Sequence, residues 1–213
     1  MKQLAMLSIT LALGGLLTST GWAGTTIFED NFNSYPPTQN WPGSDLWTVS
    51  DGTVDLIGEG TAEDFFPPGY GLYLDMGGSS FDAGKITSIP LDLQAGDYVL
   101  SFAWAGNQRS DDIGALDEMF VSVGEGSLLN FHTSAVTGTP FFAMGVPFTV
   151  VSPTWATISF EGVGGDNAGM LLDNVSLIAQ SLHVVPTIPA PGAVVLGLVG
   201  LVCTNRLRRR RIV

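Results

Sequence analysis

The 213-residue chain is nearly free of cysteine and short of positive charge. It has one Cys, and eight Lys and Arg stand against 20 Asp and Glu. The lone cysteine, Cys203, lies in an apolar run near the C-terminus. The rest of the chain therefore makes no internal disulfide and carries no thiolate nucleophile. Histidine is almost as scarce, with only His132 and His183. One histidine in the body, without cysteine, leaves zinc short of its usual ligands. No Gly-x-Ser-x-Gly surrounds any serine, so a Ser-His-Asp centre lacks its strained elbow. The scarcity of bases sharpens with position. All 20 acids fall between Glu29 and Asp173, where Lys85 and Arg109 are the only bases, which leaves −18 on that stretch. A surface of that sign repels nucleic acid, which is excluded as a partner.

Helical periodicity is missing from the body as well. Short apolar or alternating runs recur at 46–50, 53–57, 71–76, 85–89, 98–105, 119–123, 128–133, 146–151, 157–160 and 170–178. Clusters of Gly, Pro, Asn and Asp separate them. Asp51-Gly52 divides two runs as a hairpin turn does. The loosely alternating run 98–104 reads as a central strand covered on both faces. About ten strands in this length predict two packed antiparallel sheets, an all-β sandwich of jelly-roll type. Trp41, Trp47, Trp104 and Trp155 are expected in the core or at its rim.

Both ends read as addressing segments. Residues 1–23 carry Lys2, an apolar stretch at 4–17 and Gly21-Trp22-Ala23, which is the pattern of an export signal cut after Ala23. The body is then 24–184. Residues 185–213 hold a hinge of Pro186, Pro189 and Pro191, an apolar run, and a cluster of Arg206, Arg208, Arg209, Arg210 and Arg211. The 14 residues from Gly192 to Asn205 cover roughly 21 Å as a helix, against a hydrocarbon core of roughly 30 Å. That makes a short transmembrane helix, with the arginines on the cytoplasmic side.

Proline hinge, weak membrane helix and terminal arginines, in that order, resemble the PEP-CTERM sorting signal of bacterial envelope proteins. The motif here is Pro189-Ala190-Pro191, with alanine where the family usually has glutamate. The resemblance implies recognition by an exosortase-like membrane protease and the secretion machinery, with cleavage near that motif. An ordinary permanent anchor is the alternative.

The body resembles exported jelly-roll domains with a galactose-binding-like fold. Segments 71–78 (GLYLDMGG), 95–102 (AGDYVLSF), 106–109 (GNQR) and 172–177 (LDNVSL) carry the likeness, in that order. Many such domains bind carbohydrate. The resemblance also implies that the first and last strands lie side by side. Glu29, Asp30 and Asn33 from one and Asp173 from the other are then expected to share a structural calcium ion, completed by backbone carbonyls. Asn33 stands where such domains usually carry a glutamate.

The remaining chemistry is thin. The carboxylate pairs Glu63-Asp64, Asp111-Asp112 and Asp117-Glu118 sit in stretches that read as loops. Glycoside cleavage needs two carboxyls facing each other across a cleft. The loop 64–70 (DFFPPGY) gathers three aromatics beside an acid. Asp64, Phe66 and Tyr70 are its candidate glycan contacts, since sugar faces stack on rings while carboxylates take hydroxyls. The alternative is a loop tucked over the end of the sandwich. The sequence therefore predicts an exported, non-catalytic envelope or matrix protein with a structural or interaction role. A surface carbohydrate-binding module, with exopolysaccharide as partner, is the alternative. A hydrolase has no supporting motif.

Overall fold

The computed structural model describes residues 24–110 and 114–180. The export signal at 1–23, the pair Asp111-Asp112 and the tail 185–213, including Pro189-Ala190-Pro191 and the arginine cluster, lie outside the described residues. Among those described, strands account for all the regular structure and none belongs to a helix. In chain order they are β1 (Gly24–Asp30), β2 (Trp47–Ser50), β3 (Asp55–Gly58), β4 (Leu72–Asp75), β5 (Lys85–Ser88), β6 (Leu91–Leu93), β7 (Gly96–Ala105), β8 (Leu116–Val123), β9 (Leu129–Val136), β10 (Phe142–Val150), β11 (Thr154–Ala156), β12 (Ile158–Val163) and β13 (Leu171–Gln180).

Two antiparallel sheets form the sandwich. The first runs β10-β7-β13-β4-β3, with β1 also paired to β13, and the second runs β2-β5-β12-β8-β9. A small ribbon, β11-β6, stands apart. The period-2 pattern explains which faces meet. In β8, Met119, Val121 and Val123 point inward while Phe120 and Ser122 point out. In β7, Tyr98, Leu100 and Phe102 do the same. Phe102 and Trp47, from opposite sheets, meet on the ring of Phe160 at 5.2 and 6.3 Å, and Phe28 adds an edge contact to Trp47 at 5.2 Å. Each such side chain, fully buried, contributes about 1.5–3 kcal/mol of transfer free energy.

Several expectations change in the folded chain. β7 is interior to its sheet, but its outer face is covered only at the Ala105 end; Val99, Ser101 and Ala103 are half-exposed on that face. Asp51-Gly52 closes no hairpin, because β2 pairs with β5 and β3 pairs with β4. The turn instead carries the chain from one sheet to the other. Both its residues have positive φ, and a Cβ at Gly52 would press on the carbonyl oxygen of Ala83. Asp117-Glu118 lies within β8, not in a loop. Trp41 and Trp47 are core residues, Trp104 is half-buried, and Trp155 is 69% exposed.

Candidate functional site

The loop that leads into β4 folds back over the outer face of the first sheet. Ile57, Tyr73, Leu171 and Ala105 project there as a small second apolar cluster, and Phe65, Phe66 and Phe141 pack on it. The Tyr73 hydroxyl donates to the carbonyl of Glu63 at 3.1 Å and accepts from the amide of Phe65 at 3.0 Å. Burial pushes its pKa up to about 12, so it stays a neutral donor. The loop lies on the outer face of the sheet rather than over the end of the sandwich, and its rings differ in exposure. Phe66 is half-buried, 5.3 Å from Tyr73 and 4.8 Å from Phe141. Tyr70 stays 46% exposed. Its ring lies nearly parallel to Phe141, at 6.0 Å and 22°, and 5.0 Å from Phe66. Asp64 is exposed on the same loop, and Gln39 reaches the Glu63 carboxylate at 3.4 Å. The sequence names Phe66 and Tyr70 as candidates but not Phe141, which is distant in the chain and joins them only when β10 packs against β7.

Behind this patch two carboxylates face each other across the β3–β4 ladder, Asp55 opposite Asp75. Asp55 accepts from the amides of Asn40 and Ser79 and from the Ser79 hydroxyl. Asp75 accepts from the amides of Gly77 and Gly169, both at 2.9 Å, and lies 3.7 Å from the Arg109 guanidinium. Burial raises the Asp75 pKa to about 7 despite those partners. Both carboxylates are buried beneath loops that they hold in place, and neither opens on a cleft. Asp117 is likewise buried and bound by Asn107, while Glu118 points outward to His132 at 3.3 Å. Neighbours on a strand face opposite ways, so this pair cannot share a substrate.

At the other end of β13, β1 and β13 do lie side by side, with Glu29 opposite Ser176 and Asp30 opposite Val175. Of the four residues expected around calcium, Asp30 and Asp173 come near each other. Burial raises the Asp173 pKa to about 7, and the Asp30 charge adds to the shift. A pocket of about 550 Å3 opens beside them, lined by Glu29, Asp30, Asn31 and Asn174 among others. Asn33 does not join the group, since its side-chain oxygen accepts from the amide of Leu72 at 2.6 Å. Among the described residues, no group of three or more His, Cys, Asp or Glu is placed to hold a metal ion.

The outer face of the second sheet carries a groove of about 600 Å3. The Lys85 ammonium meets Glu161 at 3.4 Å there, and Phe120 is 44% exposed against His132. Nothing in the sequence reading pointed to it. Its polar side chains, Thr87, Ser159, Ser122 and Asn130, come from four different strands and form no local motif.

No family model matches the chain, and no curated protein matches it. Among solved structures the chain is similar to the CBM22-1 and GH10 modules of a Clostridium thermocellum endo-1,4-beta-D-xylanase complexed with xylohexaose, at 11% identity and TM-score 0.45. That match covers 75% of this chain and 29% of the xylanase chain. It is similar to the CBM22-1 xylan-binding domain of Paenibacillus barcinonensis Xyn10C at 13% identity and TM-score 0.44, covering 76% of this chain and 99% of that one. A third is the K3 cleaved adhesin domain of Lys-gingipain from Porphyromonas gingivalis, at 12% identity and TM-score 0.45, covering 73% and 98%.

Proposed function

We propose that this protein is an exported, non-catalytic module that binds polysaccharide at the cell surface, sorted there through its C-terminal tail. The observation that carries the binding reading is the ring stack of Tyr70 on Phe141, propped by Phe66 and left open to solvent beside Asp64 and the Gln39–Glu63 pair. An exposed ring held rigid by other rings offers the flat apolar face on which a pyranose packs, at little cost in side-chain entropy. The neighbouring carboxylates and amide supply acceptors and donors for its hydroxyls. The non-catalytic reading is supported by the carboxylates themselves. Asp55, Asp75 and Asp117 are buried and engaged in structure, and Glu118 and Glu161 are paired outward with His132 and Lys85. Export, the PEP-CTERM-like sorting by an exosortase-type protease, and exopolysaccharide as the partner rest on the sequence pattern of the two ends.

Affinity electrophoresis through gels cast with neutral polysaccharides tests the binding reading. Retardation of the full chain that falls at least tenfold in affinity on Tyr70→Ala, with a smaller loss for Phe66→Ala, is the expected result. Unchanged mobility in every polysaccharide would overturn it.

A further inference from the structure

The pairing registers place one uncharged polar side chain from every strand of the second sheet on a single line. Thr48 lies opposite Thr87, Thr87 opposite Ser159, Ser159 opposite Ser122, and Ser122 opposite Asn130. At a strand spacing of about 4.8 Å the line spans roughly 19 Å. The Ser122 and Ser159 hydroxyls share a hydrogen bond of 2.7 Å, so one of the two oxygens keeps a free proton or lone pair for a ligand. The next line of residues runs beside it and includes Lys85, Glu161, Phe120 and His132, paired in that order across β5, β12, β8 and β9. Phe120 stands up from it, braced 4.7 Å from the His132 ring.

The groove does not stop at the sheet. A second hollow, about 400 Å3, is lined by Trp155, Pro90 and Leu128, and shares Glu125 and Thr157 with the first. The two therefore adjoin at these residues. The wall between them is the β8–β9 turn, where Gly124, Glu125 and Gly126 all have positive φ. Trp155 lies on the short strand β11, 69% exposed, at the far end. A half-exposed phenylalanine and an exposed tryptophan thus bracket a floor of hydroxyls. Singly exposed rings are ordinary on a protein surface; these two are set apart by the polar floor they share.

Charge decides what can lie on that floor. Among the described residues of this face, the Lys85 ammonium is already engaged with Glu161, and the His132 ring lies against Glu118. Glu125 adds a negative charge. An anionic chain would meet no free cation here, and a body of −18 would repel it.

We infer that these two adjoining hollows, from Phe120 past Glu125 to Trp155, form a second binding site that takes a linear, neutral, hydroxyl-rich polysaccharide chain. Sugar units stack on the two rings, and the Thr87–Ser159–Ser122–Asn130 line takes hydroxyls between. This rests on the polysaccharide-binding reading but assigns the chain contact to a face remote in sequence from the Tyr70 loop. Two sites on one module raise avidity for a long polymer without new contacts at either.

The test titrates the full chain, purified in mild detergent, with neutral β-linked xylan and glucan oligosaccharides of increasing length. A galacturonan series serves as the anionic comparison. Affinity should rise with chain length in the neutral series, and the pair Phe120→Ala with Trp155→Ala should weaken the longest ligand at least tenfold. Asn130→Ala should lower it several-fold. All three side chains are exposed, and an unchanged melting curve shows that the fold is kept. Wild-type affinity in the double variant, or preference for the anionic series, overturns the inference. If Tyr70→Ala abolishes binding while the double variant retains it, this inference falls and the first site stands. The converse removes the Tyr70 site and keeps the groove. Absence of any binding removes both. A dimer that the double variant dissociates would assign the face to a second copy of the chain instead.

Discussion

Asp30 shows how one carboxylate can hold a corner of the core. Its Oδ1 accepts from the amide of Phe32 at 2.8 Å, and its Oδ2 accepts from the Tyr35 hydroxyl and the Trp47 indole, both at 2.8 Å. Trp47 is otherwise enclosed by Phe28, Phe32 and Phe160. Asp30→Ala should strand that indole donor in an apolar surround and cost about 3 kcal/mol, read as a lower urea midpoint at unchanged slope. Asp75 and Asp173 make a different prediction. Both have folded pKa values raised to about 7, first through burial, against an unfolded value near 4. The folded state therefore holds their protons more tightly than the unfolded one. The stability they contribute is fully present below about pH 4 and is lost as pH rises toward 7. In chelated buffer the melting temperature should fall between pH 5 and 8. Asp173→Asn should remove part of that slope, whereas Asp45→Asn, which deletes the same charge at an exposed site, should not.

At the scale of elements, legibility followed length and alternation. β7, β8 and β13 are long enough for their pattern to show in the chain, and all three are interior strands of their sheets. β6 and β11 are three residues each and pair only with one another, so nothing local marks them. The strand β1 begins with Gly24-Thr25-Thr26, which has no apolar face of its own and is ordered by β13. Asp51-Gly52 was legible as a turn but not as a crossing between sheets, since the same left-handed backbone serves either purpose. The candidate site divided the same way. Phe66 and Tyr70 share a loop and could be read, whereas Phe141, Phe120 and Trp155 become neighbours of their partners only through pairing. Gly52→Ala should therefore act on the fold, with a loss of about 1–3 kcal/mol in chemical unfolding. The β1–β13 ladder carries the calcium proposal. A cation between Asp30 and Asp173 would relieve the burial cost of Asp173 and compete with its proton. Calcium should then raise the melting temperature at pH 7.5 and do less at pH 5.5, and Asp173→Ala should abolish the response. Identical curves with calcium and with chelator at pH 7.5 would remove the site.

For the whole molecule, the distribution of charge and hydropathy along the chain predicts where the protein is held and how it leaves. The acids are confined to the body and the arginines to the last few residues. Acids on a translocated domain do not resist export, whereas clustered arginines at the end of an apolar run resist crossing. If the apolar run crosses the bilayer as proposed, its 14 residues, roughly 21 Å as a helix, would be held less firmly than a run that matches the bilayer. Under the sorting reading proposed above, such a segment suits a temporary hold. Intact mass of protein released from cells should therefore begin near Gly24 and end between Pro189 and Gly192. Replacing the five arginines by glutamine should reduce retention at the membrane and with it the correctly trimmed product. Mature protein that keeps Arg206 to Arg211 would show that the tail is a permanent anchor, and the hinge would then serve only to hold the binding module away from the bilayer.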